Sequence, residues 1–151
     1  MLSNLYFAYG SNLSLSQMQD RCKMSVPITP AVLKGYKLTF KHNKRGNGVA
    51  DIVKEDGSEV LGALYAVSKS DVKSLDKFEG HPHVYVRQQV EVQANGEQVN
   101  VITYIMRDEF KPGVPKQEYL QRILRGYRDW HLPVNNVIKE VKYIKKEAIK
   151  K

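Results

Sequence analysis

The sequence predicts an α+β fold, in which one strongly bent, barrel-like mixed β-sheet is flanked by helices. Three observations lead to this prediction. The length of 151 residues suits one domain with one core. About six short apolar or alternating segments read as strands, mostly joined in hairpins. Segments with helical spacing stand between and after these strands. We therefore expect a single domain over residues 1–151.

The first half of the chain supplies four of the predicted strands. Residues 4–9 form an apolar run without alternation, which is typical of a strand buried on both faces. Residues 13–22 predict a short helix, and residues 31–42 predict a second strand because apolar and polar positions partly alternate. Residues 48–53 and 59–67 predict two further strands. The Asp56-Gly57 pair between them is a turn signal and predicts a hairpin.

The second half combines helices with another hairpin. Residues 68–80 predict a helix, with Ser68 and Asp71 in capping-box spacing and Gly80 at its end. Asn95-Gly96 predicts a hairpin turn between strands at 84–92 and 98–106. Two segments with helical spacing complete the chain, at 116–130 and at about 134–151.

Charge and composition restrict the partners. The net charge is +8, and half of this excess lies in residues 139–151, where six lysines face two glutamates. We interpret this basic amphipathic helix as a solvated face and expect no nucleic-acid partner; salt-dependent RNA binding through the helix stays a weaker alternative. No apolar run reaches the roughly 20 residues of a membrane helix, so we expect no membrane partner. The oligomeric state is left open between a monomer and a homodimer.

Cysteine and histidine usage leads to further expectations. The single cysteine, Cys22, forms no intramolecular disulfide and fits a cytoplasmic location. His81 and His83 flank Pro82 without further ligands nearby, which makes a poor metal site. We expect no metal and no cofactor.

The junction between the first strand and the first helix is the first candidate site. It reads Gly10-Ser11-Asn12, and Gly10 permits a positive φ or the close approach of a ligand. The first N–H groups of a helix have no internal partner, so such a junction can hold an anion. From spacing alone, a turn in which Asn12 or Ser14 caps the helix is the simpler interpretation.

The second candidate is Glu79. On the predicted helix it shares a face with Val72 and Leu75, so its carboxylate points inward at the last helical turn. Burial and the helix dipole both disfavour negative charge there, which raises the pKa and suits a general base. A rim glutamate that reaches water past Gly80 is the alternative. Asp76, on the same side, is the competing acid.

Taken together, these segments resemble the gamma-glutamylcyclotransferase-like family. The resemblance rests on "YFAYGSNL", "GVADI", "VLGALYAVSKSDVKSLDKFEG" and "YVRQQVEV", and it continues through "VITYIM" into "VPKQEYLQ". These motifs occur in the family's order and cover most of the chain. The final basic helix contributes little to the resemblance.

The resemblance implies a bent, barrel-like sheet with a pocket at one end, and release of 5-oxoproline from gamma-glutamyl compounds without a cofactor. It implies that Glu79 is the proton acceptor. It also implies that the substrate is bound by the first strand and the turn after it, through Tyr6, Phe7, Ala8, Tyr9, Gly10, Ser11 and Asn12. Two further tyrosines, Tyr85 and Tyr119, are implied to contact the substrate. A non-catalytic protein of the same fold that binds gamma-glutamyl compounds or similar anions, as a sensor or carrier, is the alternative. The leaving amine is left open between an amino acid, the lysine ε-amine and another small amine.

Overall fold

Five strands close into a barrel in this computed structural model, which describes residues 2–150. They are β1 (Leu2–Ala8), β2 (Val26–His42), β3 (Gly48–Ser68), β4 (Tyr85–Ala94) and β5 (Glu97–Met106), in the order β1-β3-β2-β4-β5. The helices are α1 (Leu15–Arg21), α2 (Lys69–Glu79), α3 (Gln117–Asp129) and α4 (Asn135–Ile149), and a 3₁₀ turn at Ser11–Leu13 precedes α1. The predicted α+β fold with a bent, barrel-like sheet is confirmed.

Strand β1 makes the sheet mixed. It pairs antiparallel with β3, where Phe7 lies opposite Leu64, and parallel with β5, where Tyr6 lies opposite Ile102. Consecutive residues from Tyr6 to Tyr9 are buried, as the unbroken apolar run predicts. The strand therefore ends inside the protein, and the Gly10 turn begins there.

The predicted hairpin at Asp56-Gly57 is wrong, and the sheet has five strands instead of six. Residues 48–53 and 59–67 belong to one strand, β3, and both parts pair with β2. Between Lys34–Glu59 and Tyr36–Lys54, β3 advances five residues while β2 advances two, so the turn signal produces a bulge. Strand β2 is long enough to receive both parts because it begins at Val26 instead of residue 31.

Two local predictions in the second half are confirmed. Asn95 and Gly96 have φ values of 51° and 77°, the positive values that a two-residue hairpin turn between β4 and β5 requires. Ser68 and Asp71 form the reciprocal capping box of α2. Gly80 ends α2 with a φ of 67°.

Helices α1 and α3 fix the turn that follows β1. The predicted helix at 13–22 divides into the 3₁₀ turn and α1, because Ser14 caps α1 by accepting a hydrogen bond from the Gln17 N–H at 3.4 Å. Helix α3 lies directly against this turn: a Cβ on Gly126 would stand 2.5 Å from Leu13 Cβ. The Trp130 indole N–H also donates to Leu13 O at 2.9 Å. The contacts of Gly126 and Trp130 with Leu13 thus fix the position of the turn.

Helix α4 covers the outer side of β2. Its buried face consists of Val137, Val141 and Ile144, which confirms the amphipathic pattern, although Lys151 lies outside the described residues. Thr39 on β2 donates to Glu140 at 2.7 Å. Over residues 2–150, no helix has both the length and the apolar character needed to cross a membrane.

Candidate active site

A cavity of about 440 Å³ opens between the end of β1, the end of α2 and the turn that joins β2 to β3. Eight of the ten residues that the sequence predicts as site residues line it, namely Tyr6, Tyr9, Gly10, Ser11, Asn12, Glu79, Tyr85 and Tyr119. Its volume is in the usual range of small-ligand pockets, about 300–1,000 Å³. The fold therefore gathers residues from six separate segments into one concave site.

Phe7 and Ala8 are predicted site residues that do not line the cavity. Both are fully buried in β1, and their backbones pair with Leu64 and Ala63 of β3. Phe7 O also accepts a hydrogen bond from the Thr103 hydroxyl at 2.8 Å. These two residues fix the position of the strand, and the cavity wall begins with the side chains on either side of them.

The three residues of the Gly10 turn, Gly10, Ser11 and Asn12, line the cavity. The Leu13 N–H donates to Gly10 O at 3.1 Å and is the first donor of the 3₁₀ turn, so the N–H groups of Ser11 and Asn12 precede its internal bonds. The φ of Gly10 is −116°, so the positive φ that was one of the two predicted reasons for glycine is not present. A Cβ at this position would lie 3.0 Å from Ala50 Cβ.

Asn12 is the buried centre of the polar network. Its Nδ2 donates to the Tyr6 hydroxyl at 3.0 Å and to Glu79 Oε1 at 3.5 Å. Its Oδ1 accepts from Gln17 Nε2 at 3.1 Å and from Arg21 at 3.2 Å. Since Ser14 provides the helix cap, the side chain of Asn12 is left to join β1, α1 and the end of α2.

Glu79 is the last residue of α2 and is half-buried where it lines the cavity. Burial raises the pKa of its carboxyl group to about 7, and the positive charge of Arg21 opposes this shift. The raised pKa agrees with the direction that helical phase predicts for an inward-facing carboxylate. Near neutral pH, this group can therefore both accept and return a proton.

Asp76, the competing acid, has partners elsewhere. Its carboxylate accepts a hydrogen bond from the Tyr104 hydroxyl at 2.6 Å and forms an ion pair with Arg87. It does not line the cavity, whereas Glu79 does. Its contacts link α2 to β4 and β5.

Two tyrosines contact the two ends of one residue, Ala50. The Tyr119 hydroxyl accepts a hydrogen bond from the Ala50 N–H at 2.9 Å, and the Tyr85 hydroxyl donates to Ala50 O. Tyr9 in turn donates to Tyr104 O at 2.6 Å. Tyr119 is therefore an acceptor for the main chain and interacts in addition with the Ser11 side chain, whereas Tyr85 and Tyr9 donate their protons to the main chain.

Several cavity residues are absent from the sequence-based site. Arg21 is one of them, and its guanidinium lies 4.5 Å from the centroid of the Phe78 ring. Tyr104, Lys77 and the β2–β3 turn also reach the wall. The basic "KHNKR" segment is a visible signal for the turn, but no local pattern connects Arg21 with Glu79. Over the described range 2–150, no cluster of three or more His, Cys, Asp or Glu side chains could hold a metal ion.

Comparison with known proteins gives consistent results. The family described as "Gamma-glutamyl cyclotransferase, AIG2-like" matches residues 6–132, a span that ends before α4. The gamma-glutamylcyclotransferase of Mus musculus is 33% identical over 137 residues, which is 85% of this chain and 72% of the mouse protein. The Homo sapiens protein of that name is 32% identical over 87% and 74% of the two chains. A solved structure called gamma-glutamyl cyclotransferase superposes with a TM-score of 0.80 at 29% identity, covering 94% and 86% of the chains.

Proposed function

The chain belongs to the gamma-glutamyl cyclotransferase, AIG2-like family, and from this premise we propose how its cavity acts as a gamma-glutamylcyclotransferase. An enzyme of this type releases 5-oxoproline and a free amine from a gamma-glutamyl amide. The observation that carries the assignment of residues is the meeting of the Gly10 turn and Glu79 through Asn12, across 67 positions of sequence. A binding protein without turnover is not favoured, because the relatives are named as enzymes.

The substrate contains its own nucleophile. In the proposed reaction the Glu79 carboxylate takes a proton from the α-ammonium, and the freed amine attacks the γ-carbonyl carbon. The new C–N bond closes a five-membered lactam, while the original amide C–N bond breaks. Protonated Glu79 returns this proton to the departing nitrogen. It then takes the second proton that the attacking nitrogen loses as the lactam N–H forms, and passes it to the same departing nitrogen, which leaves as an ammonium. Atoms and charge balance without water, and Glu79 ends as it began.

The remaining groups have complementary roles. The N–H groups of Ser11 and Asn12 lie ahead of the internal bonds of the turn and are suited to the oxyanion that develops on the γ-carbonyl. The Tyr119 hydroxyl, which accepts from the Ala50 N–H and interacts with the Ser11 hydroxyl, lines the cavity and is suited to contact the substrate. The cavity thereby folds the gamma-glutamyl group onto itself. Such orientation contributes effective molarities of about 10⁵ M or more, and proton transfer adds about 10²–10⁴-fold.

Product detection tests this proposal. The purified protein is incubated with gamma-glutamyl dipeptides, gamma-glutamyl-lysine and gamma-glutamyl alkylamines, and 5-oxoproline is measured by mass spectrometry. We expect 5-oxoproline in equal amount to the free amine, and a turnover number about 10²–10⁴-fold lower in Glu79→Gln. Glu91→Gln is the matched control, because Glu91 is an exposed carboxylate on β4. No product from any compound would overturn the proposed activity; full turnover by Glu79→Gln would overturn the role of Glu79.

A further inference from the structure

The wall of the cavity carries a strong excess of positive charge. Four cationic side chains line it, Arg21, Lys44, Arg45 and Lys77, whereas Glu79 is the one carboxylate in the described wall. A concave surface lined by one sign of charge focuses its potential on the ligand it encloses. Because the pKa of Glu79 is raised to about 7, that carboxylate offsets even less than one full charge near neutral pH.

Apart from the attraction between the charges of Arg21 and Glu79, the structure shows no acidic partner for these cations within residues 2–150. Among residues 2–150, none of the four forms an ion pair with a carboxylate; the ion pairs of nearby cations involve Lys37, Lys41, Arg87 and Arg107 instead. Arg21 contacts the Asn12 amide oxygen and the Phe78 ring, which are both uncharged groups. The positive charge of Lys44, Arg45 and Lys77 is therefore left for a ligand.

Hydrogen bonds fix the backbone of the β2–β3 turn, which carries two of the cations, Lys44 and Arg45. The side-chain oxygen of Asn43 accepts hydrogen bonds from the Arg45 and Asn47 N–H groups, each at 3.0 Å. The Asn43 N–H donates to Asn47 O at 2.8 Å, and the Gly48 N–H donates to Val114 O at 3.2 Å. The turn is thus closed by its own bonds and attached to the segment before α3.

The gamma-glutamyl group cannot account for this excess. Its α-carboxylate and α-ammonium cancel, so the group is neutral overall. Of the leaving amines left open by the sequence, an alkylamine adds no negative charge, and lysine linked through its ε-amine adds a balanced carboxylate and ammonium. An amino acid linked through its α-amine adds one carboxylate, and an acidic amino acid adds two.

We propose that the preferred substrate is a gamma-glutamyl compound whose leaving portion is an acidic amino acid, such as gamma-glutamyl-glutamate or gamma-glutamyl-aspartate, held by Lys44, Arg45 and Lys77. The inference rests on the proposed function and specifies its substrate class. The reaction is the one written above, with free glutamate or aspartate as the released amine. The cations act on binding of the leaving portion, and the lactam closure at Glu79 is unchanged.

The test compares two dipeptides of nearly equal shape, gamma-glutamyl-glutamate and gamma-glutamyl-glutamine, by kcat/KM for 5-oxoproline release. Partly exposed ion pairs change binding by about 2- to 5-fold each, so two contacts favour the glutamate dipeptide by about 5- to 20-fold, mainly through KM. The preference shrinks as salt is raised from about 20 to 500 mM, since screening shortens the range of the charges.

Charge-matched variants identify the residues responsible. Lys44→Ala/Arg45→Ala lowers the preference toward one, and Lys145→Ala/Lys146→Ala, which removes the same charge from exposed positions on α4, leaves it unchanged. Lys77→Ala is paired in the same way with Lys73→Ala on α2, because Lys73 is exposed and does not line the cavity. Lys44→Gln/Arg45→Gln repeats the loss of charge with longer side chains, and thermal melting checks that every variant is folded.

The outcomes separate the two proposals. Equal kcat/KM for the two dipeptides in the parent, or a preference that survives in both turn variants, overturns the acidic-leaving-group inference while the cyclotransferase activity stands. Release of 5-oxoproline from neither dipeptide, nor from the wider panel, overturns the proposed activity and this inference with it.

Discussion

Asn12 and Glu79 are joined by a hydrogen bond of 3.5 Å from the side-chain amide to the carboxylate, although one follows the first strand and the other ends α2. The contact places the N–H-rich turn beside the carboxyl group whose pKa is raised. Arg21, which contacts the other end of the same amide, also acts on the ionisation of Glu79 through its own charge.

The pH dependence of kcat/KM should report the pKa of Glu79. A base acts when it is deprotonated, so kcat/KM should rise with pH and level off above about 7. Arg21 stabilises the carboxylate, and Arg21→Gln should therefore move this rise to higher pH. Lys23→Gln, an exposed cation that does not line the cavity, should leave it in place. An unchanged profile in Arg21→Gln would contradict this coupling.

The stability contributed by Glu79 should fall as pH rises, whereas kcat/KM should rise. The pKa of Glu79 is raised from 4.5 to about 7 in the folded chain, so folding favours the protonated form. Its contribution is complete below about pH 4.5 and is lost as pH rises toward 7. Relative to the parent, Glu79→Gln should gain in Tm over this interval and show a constant difference above it. Thermal melts of both proteins from pH 4 to 8 measure the difference, and a flat difference would contradict the shift.

Helix α2 and the β1 turn show how far the sequence alone could lead. Ser68, Asp71 and Gly80 follow rules that act within a few residues, and helical phase then placed Glu79 on the inner face. The Asp56-Gly57 pair also follows a local rule, but the same residue pair is compatible with a bulge within one strand and with a hairpin turn between two strands. Pairing with a long β2 decides between them, and that information is not local. Arg21 reaches Glu79 only through tertiary contacts, so no spacing could reveal it.

Gly10→Ala should lower kcat/KM because the new Cβ would lie 3.0 Å from Ala50 Cβ and push the turn away from β3. The double variant Gly10→Ala/Ala50→Gly removes the opposing methyl group and should recover activity. A double-mutant cycle in kcat/KM, with Ala50→Gly alone as the control, measures the coupling. Additive losses would show that this contact does not position the turn.

Tyr119→Phe should lower both stability and activity, whereas Tyr85→Phe should mainly lower stability. Each leaves one polar group of Ala50 without its partner, so each should lower the free energy of unfolding by about 1–3 kcal/mol. Tyr119→Phe should also lower kcat/KM by about 10-fold, because it removes a hydroxyl suited to contact the substrate. Denaturant unfolding and steady-state kinetics measure the two effects, with the exposed Tyr143→Phe as the control. Equal kinetics for Tyr119→Phe and the parent would remove Tyr119 from substrate binding.

Cys22 should be inert in the folded protein. The residue is buried, and burial raises the pKa of its thiol to about 12, which leaves almost no thiolate at pH 8. Iodoacetamide at pH 8 should therefore leave both mass and activity unchanged, and should add one label per chain in denaturant. Stoichiometric labelling under native conditions would show that the region around α1 opens readily.

The closed turn at Asn43–Asn47 is separate from the strands and helices that carry the residues proposed for the chemistry. The groups proposed for the chemistry belong to the strands and helices of the barrel and to the Gly10 turn; they are the N–H groups of that turn, Glu79 and the two tyrosines that contact Ala50. By contrast, Lys44 and Arg45 lie on a short connection closed by its own hydrogen bonds. Grafting a different connection between His42 and Gly48 thus offers a way to redesign the enzyme for another leaving amine while the lactam-forming apparatus is retained intact.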